Sequence, residues 1–311
     1  MTSIFITRLL PSIAQELLSE HFEVDCHQEN KPLPAESLCS IVRQYDGVLS
    51  TVVDRFDEDL LRQQKRLKAI SNYAVGLDNI DLDAAKNNGV AVYNTPDVVT
   101  EPTADMTFAL LLALERKVLP AFEFVKRDQW RSWDPWLFLG HSLTGKVMGI
   151  CGFGRIGKSV GRRAEGFGMK VLYHDPLIQK VDDPLLAGAV SVELDELLER
   201  CDYLSIHVPM NDSTRGMFNL QLLSKLQRSP MLINMARGIV VDTEALIHAL
   251  DKGWVRGAAL DVTDPEPLSG SSRLCNMENV IVTPHIGTAT EDCRRDMAKA
   301  AAENLIRHFR G

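Results

Sequence analysis

The chain has 311 residues, 45% hydrophobic and 24% charged, with 34 Lys and Arg against 42 Asp and Glu for a formal net charge of −8. That composition is of the ordinary globular kind and allows roughly two domains; the acidic balance, without any basic block, excludes nucleic acid and anionic membrane as expected partners. Cys26, Cys39, Cys151, Cys201, Cys275 and Cys293 are scattered and contain no C-x-x-C pair, so no metal site and no disulfide framework is expected, only reduced thiols of a cytoplasmic protein.

The N-terminus, "MTSIFITRLLPSIAQELL", lacks a basic segment followed by a long apolar one. It is expected to be a strand and a helix rather than a targeting peptide. No run approaches the ~18 apolar residues of a membrane span. In the first hundred residues "SIFIT", "GVLSTV", "KAISNYA" and "VAVYN" predict strands, and "PSIAQELLSEHF", "AESLCSIVRQY" and "DLDAAKNNG" predict helices. Asp81 caps the last of these helices and Gly89 ends it. Such alternation implies a parallel sheet covered on both faces. Residues 100–128 predict one long helical stretch with Thr100 as N-cap, Pro102 in the first turn and a kink or break at Pro120. The aromatic segment "DQWRSWDPWLFLGHSLTGK" has no period and reads as a linker or crossover. Six more strands follow, "KVMGIC", "KVLYHD", "YLSIHV", "MLINMA", "GAALDV" and "VIVTPH". Six strands with intervening helices suit a dinucleotide-binding unit.

The glycine motif "ICGFGRIG" sits between a strand and a helix, the context that gives G-x-G-x-x-G its meaning. Gly152 permits the tight turn, Gly154 lets backbone approach a pyrophosphate, and Gly157 lets helix and sheet pack closely. The helix N-terminus offers free N–H groups to phosphates. Asp175 ends the next strand, where a carboxylate accepts from both ribose hydroxyls of NAD and repels the extra phosphate of NADP. Three further strands of this half end in chemistry-bearing residues: Arg237 in "LINMARGIVVD", Asp261 and Glu266 in "AALDVTDPEPL", and His285 in "TPHIG". Taken singly, each has a bland reading as a surface cation, an exposed turn carboxylate or a satisfied structural histidine. Ligands of open α/β sheets bind outside the carboxyl ends of the strands, so their shared placement predicts convergence on a substrate beside the cofactor.

In order along the chain, "NYAVGLDNID", "ICGFGRIG", "INMARGIVVD", "LDVTDPEPL" and "TPHIG" resemble the D-isomer-specific 2-hydroxyacid dehydrogenases, most of all the glyoxylate/hydroxypyruvate and 2-ketogluconate reductase branch. The resemblance implies an α/β fold of two doubly wound parallel-sheet domains. A Rossmann-type coenzyme domain, residues 100–286, would be inserted in a flavodoxin-like substrate domain formed by 1–99 and 287–311, with the active site in the cleft between them. It implies an NAD(H)-dependent oxidoreductase and a homodimer. Arg237, Glu266 and His285 would be the catalytic set: His285 the proton donor, Glu266 its partner at the far ring nitrogen, Arg237 the group that binds and polarises the 2-oxo acid. Thr103, Gly152, Gly154, Arg155, Ile156, Gly157, Asp175, Val208, Met235, Ala236, Asp261 and Gly287 would hold NAD, with Asp261 receiving the carboxamide. Val75 and Gly76, with Arg237 and Thr288, would hold the substrate. Where animal glyoxylate reductases place a tryptophan from the neighbouring subunit, this chain has Leu137. Phosphite and phosphoglycerate dehydrogenases also resemble it, although phosphite dehydrogenases carry a lysine where this chain has Val75. An NAD(H)-sensing corepressor with little turnover is the alternative of a different class.

Overall fold

The computed structural model describes residues 1–29 and 31–311, which fall into two compact units, Met1–Val99 with Ala289–Gly311, and Thr100–Thr288. In the first unit the chain runs β1 (Ser3–Ile6), α1 (Ile13–Ser19), β2 (Glu23–Cys26), α2 (Ala35–Gln44), β3 (Gly47–Ser50), α3 (Glu58–Arg62), β4 (Ala69–Asn72), α4 (Leu82–Asn87) and β5 (Ala91–Tyr93). The five strands are all parallel, in the order β2-β1-β3-β4-β5, the flavodoxin-like doubly wound order. Period-two alternation splits the core: Ile4, Ile6 and Leu49 face one cluster, Val48 and Ile70 the other. Asp81 caps α4 through the Ala84 N–H at 2.8 Å, and Gly89 follows at φ +70°, as expected.

In the second unit the elements are α5 (Thr100–Glu115), α6 (Val118–Lys126), β6 (Val147–Cys151), α7 (Arg155–Gly166), β7 (Lys170–His174), β8 (Val190–Ser191), α8 (Leu194–Arg200), β9 (Tyr203–Ile206), α9 (Leu220–Leu223), β10 (Met231–Asn234), α10 (Thr243–Asp251), β11 (Gly257–Leu260) and β12 (Val280–Val282). Its seven parallel strands run β12-β11-β10-β9-β6-β7-β8. Read from β8, that is the Rossmann order with one strand added at the far edge, and the order reverses between β6 and β9. Helices α5 and α7 cover one face against Met148, Ile150 and Ile233; α8, α9 and α10 cover the other against Leu204, Leu232 and Leu260.

The last helix, α11 (Glu291–Arg310), belongs to the first unit. Cys293, Met297, Ala298, Ala301, Ala302 and Leu305 are buried along one stripe against α1 and β4, the three-to-four residue spacing of an amphipathic helix. Burying a side chain such as Leu305 stabilises the unit by roughly 1.5–3 kcal/mol.

The structure corrects several expectations. β2 and β8 go unforeseen: one shows acidic residues at Glu23 and Asp25 on an edge, and the other is two residues long. Helix α3, five residues capped by Asp57 on the Leu60 N–H, is too short to show a period. The long helix breaks not at Pro120 but at Lys117, which takes the left-handed conformation at φ +51°. Pro120 instead lies in the first turn of α6, where no intrahelical donor is needed. Helix α5 begins at Thr100 itself rather than after it. All six cysteines are free thiols.

Candidate active site

The glycine-rich turn is built as its sequence requires. Gly152 has φ +88°, and a Cβ there would lie 2.7 Å from the His207 carbonyl, on the neighbouring β9 strand end. A Cβ on Gly157 would meet the Gly152 carbonyl oxygen at 2.2 Å, whereas Gly154 opens onto free space. The N-terminus of the twelve-residue α7, starting at Arg155 and Ile156, therefore faces an open cradle at the sheet's reversal point. Asp175, just beyond β7, is pinned beside it. Its Oδ2 accepts the Phe153 N–H at 2.8 Å and its Oδ1 the Leu177 N–H at 2.9 Å. Each carboxylate oxygen keeps lone-pair capacity for a ribose hydroxyl. Val208 is partly buried next to this turn. These residues fit the pyrophosphate and ribose of a dinucleotide. Beneath the turn, burial and then the Asp175 charge push the Cys151 thiol up to about 12, so it stays protonated and chemically idle.

Further along the same strand ends, three of the expected cofactor residues converge on a fourth, Gly287. A Cβ on Gly287 would lie 3.0 Å from Asp261 Oδ2, 3.1 Å from Met235 Cε and 3.7 Å from Thr103 Cγ2. A side chain there would require these neighbours to give way by a few tenths of an ångström.

Arg237 follows β10 in a loop shaped by Asn234, a residue sequence reasoning missed. Buried at the strand end, Asn234 accepts the Ala236 N–H at 3.0 Å and donates to the Arg237 carbonyl at 3.0 Å. Gly238 packs so closely that a Cβ would fall 1.9 Å from the Thr263 carbonyl oxygen. The arginine loop is thereby pressed against the segment that carries Glu266. The Arg237 Nη1 also donates to the Ala236 carbonyl at 2.8 Å.

Glu266 Oε1 lies 2.7 Å from His285 Nδ1. Burial raises the glutamate's carboxyl, but the His285 hydrogen bond and charge, the Thr263 N–H and the Arg237 charge outweigh it and hold it below the usual carboxylate range. An ionised carboxylate only accepts, so Nδ1 carries the proton and Nε2 is the nitrogen left for a substrate. His285 itself has φ +54°, a conformation uncommon outside glycine and asparagine. Thr288 closes this unit, three residues after His285 and half-buried.

Val75 and Gly76 lie in the first unit, in the loop after β4. Asn94 Nδ2 takes the Val75 carbonyl at 2.7 Å and Asn72 Nδ2 the Gly76 carbonyl at 3.0 Å. Both carbonyls of the loop are thereby tied to side chains of the same unit. Asn72 and Asn94 carry no signal of this role in sequence; only the fold brings them to the loop.

Beside the glycine turn, His207 Nε2 lies 2.7 Å from Ser205 Oγ, while its Nδ1 is buried and has no partner among the described residues. Burial pushes this ring down from 6.5 to about 3. Below pH 6.5 the unfolded chain binds a proton here that the folded chain refuses, so stability present above that pH drains as pH falls toward 3. Between pH 6 and pH 4 the parent should lose about 2 kcal/mol more stability than His207→Gln. Urea midpoints at the two pH values measure the difference, and equal slopes would show that the ring does not stay neutral.

Among the described residues no cluster of His, Cys, Asp and Glu suits a metal ion, and no helix is long and apolar enough to cross a membrane. Residues 108–287 match the family described as D-isomer specific 2-hydroxyacid dehydrogenase, NAD binding domain. Over 99% of its length the chain is 41% identical to a glyoxylate reductase of Thermococcus litoralis, covering 94% of that protein. Two solved structures are each 30% identical with TM-scores of 0.86. They are the D-lactate dehydrogenase of Aquifex aeolicus with NAD and lactic acid, matched over 100% of this chain and 96% of that one, and the NADPH-dependent glyoxylate/hydroxypyruvate reductase of Sinorhizobium meliloti with NADP and malonate, matched over 99% and 94%. With a Rossmann-type sheet, a dinucleotide cradle and these matches over most of its length, the chain belongs to the D-isomer-specific 2-hydroxyacid dehydrogenases, oxidoreductases that act with a nicotinamide dinucleotide on CH–OH groups.

Proposed function

We propose that this dehydrogenase reduces small 2-oxo acids, glyoxylate or hydroxypyruvate foremost, with NADH. The observation that carries the reading is the ordered assembly of Arg237, Glu266 and His285: an imidazole with Nδ1 held at 2.7 Å by an ionised carboxylate, its Nε2 left free, and a guanidinium whose charge reaches the same carboxylate. Reduced nicotinamide, when bound, supplies the hydride. His285 gives the proton to the carbonyl oxygen from Nε2. Glu266 fixes the tautomer and orients the ring from which that proton comes. Arg237 binds the acid and polarises its carbonyl, and the N–H groups of Val75 and Gly76 take the carboxylate. Thr288 supplies a hydroxyl near the substrate. Thr103, Met235 and Asp261 line the nicotinamide, and Ala236 and Val208 the rest of the cofactor.

Asp175 supports NADH over NADPH. One like-charge contact with the extra phosphate costs about 1 kcal/mol or more, close to a tenfold preference. Consumption of NADH and of NADPH should be compared with glyoxylate, hydroxypyruvate, pyruvate and 2-ketogluconate. The expected result is fast turnover of one of the first two acids, about tenfold better with NADH. Preference for NADPH would refute the role given to Asp175, and NADH binding without turnover of any acid would point to a sensing protein.

A homodimer in the cytoplasm completes the reading. Helix α6 buries none of its side chains and exposes Val118, Leu119, Phe122 and Val125, and the segment after it exposes Trp130, Trp133 and Trp136. An apolar surface of that size is uncommon on a monomer. The six unpaired thiols suit a reducing compartment.

A further inference from the structure

The geometry points to Asp261 as the residue that positions His285, holding its backbone in the left-handed conformation from which the ring meets the substrate. This rests on the proposed role of His285 and departs from the expectation that Asp261 serves chiefly to receive the cofactor's carboxamide.

Four contacts tie Asp261 to the turn after β12. Its main-chain carbonyl accepts the His285 N–H at 2.9 Å. Its carboxylate Oδ1 accepts the Thr283 hydroxyl at 2.6 Å and the Ile286 N–H at 2.8 Å, and Oδ2 accepts the Gly287 N–H at 2.7 Å. Three consecutive N–H groups, 285 to 287, are thus gathered by one residue that is only 2% exposed. Successive N–H groups converge on an anion in this way when the chain between them takes a left-handed turn. His285 is the residue that makes the turn, at φ +54°.

A non-glycine residue holds such a conformation only where its surroundings over-determine it. A carboxylate this deeply buried is tolerable only when it is hydrogen-bonded. Each requirement meets the other here. Of about four lone-pair sites on a carboxylate, three are taken by the turn, which leaves one at most for a cofactor amide. Glu266, on the same segment after β11, holds the ring at Nδ1. One strand end therefore fixes the histidine twice, through the backbone at Asp261 and through the imidazole at Glu266.

Asp261→Asn keeps the volume but turns an amide N–H toward a backbone N–H of the turn. Displacement of a reacting group by about 1 Å can cost a hundredfold. The expected result is a kcat at saturating NADH lowered by about tenfold to a hundredfold, with the dissociation constant of NADH, read by fluorescence titration, within about threefold of the parent. Hydrogen exchange at the Ile286 and Gly287 amides should speed up, while the β10 and β11 amides stay as protected as before. If instead NADH binding weakens tenfold and kcat holds, the carboxamide role is the main one and the proposal is overturned. Unchanged exchange at 286 and 287 overturns it as well. Should the asparagine variant fail to fold, Thr283→Val removes one of the three carboxylate contacts, and the same two readouts should move in the same direction by a smaller factor. If the parent protein turns over no 2-oxo acid, the functional reading fails, while hydrogen exchange still decides whether Asp261 holds the turn.

Discussion

His285→Ala is expected to lower kcat for reduction of a small 2-oxo acid by roughly 10²–10⁴, the range for loss of a positioned proton donor. NADH affinity and the thermal midpoint should stay close to the parent's, because the imidazole is about one-third exposed and supports little packing. Near-parent turnover by a folded variant would remove His285 from the mechanism. Glu266→Gln separates positioning from proton transfer. The amide can still accept from Nδ1, but the negative charge beside the ring is gone. Reduction by this variant should therefore slow by about tenfold or more, with KM for NADH unchanged. Parent-like kcat would mean that Glu266 shapes the site without influencing proton transfer.

The second large effect concerns Arg237. Arg237→Met should lower kcat/KM for the acid by about 10²–10³, as for removal of one preorganised donor to a developing oxyanion. Arg237→Lys should recover little of it, since a point charge on a flexible stem does not reproduce the planar fork that grips a carboxylate and a carbonyl together. Both variants should bind NADH normally. Asn234 and the close packing of Gly238 on Thr263 hold the loop, so the fold is expected to survive loss of the guanidinium. A large recovery by lysine would show that charge alone, without bidentate geometry, is what the substrate requires.

Much of this site is visible in the chain because its chemistry depends on backbone rules. Gly152, Gly154 and Gly157 are spaced for a turn that admits no side chain, and a strand-to-helix setting around them can be read from hydrophobic runs alone. Asp175 follows β7, and Arg237, Glu266 and His285 follow the successive strands β10, β11 and β12; parallel sheets gather strand ends on one edge. Short elements leave no such trace. β8 and α3 span too few residues for a period, β2 is obscured by the acidic Glu23 and Asp25 on an edge strand, and Pro120 misplaces a helix break because a proline in a first turn costs nothing.

What the sequence by itself determined is the α/β alternation, the dinucleotide cradle and, through the resemblance of its motifs, the family. The first two follow from local periodicity and from glycine spacing whose backbone consequences are the same wherever it falls. Only the tertiary structure decided what holds the site residues. Asn234 shapes the arginine loop, Asn72 and Asn94 tie back the Val75–Gly76 carbonyls, and Asp261 gathers the turn at His285. Each of these bonds joins a buried polar side chain to backbone, in several cases from a distant part of the chain. No spacing rule encodes such a partner, because a buried polar group takes whichever donor or acceptor the packed fold brings within about 3 Å.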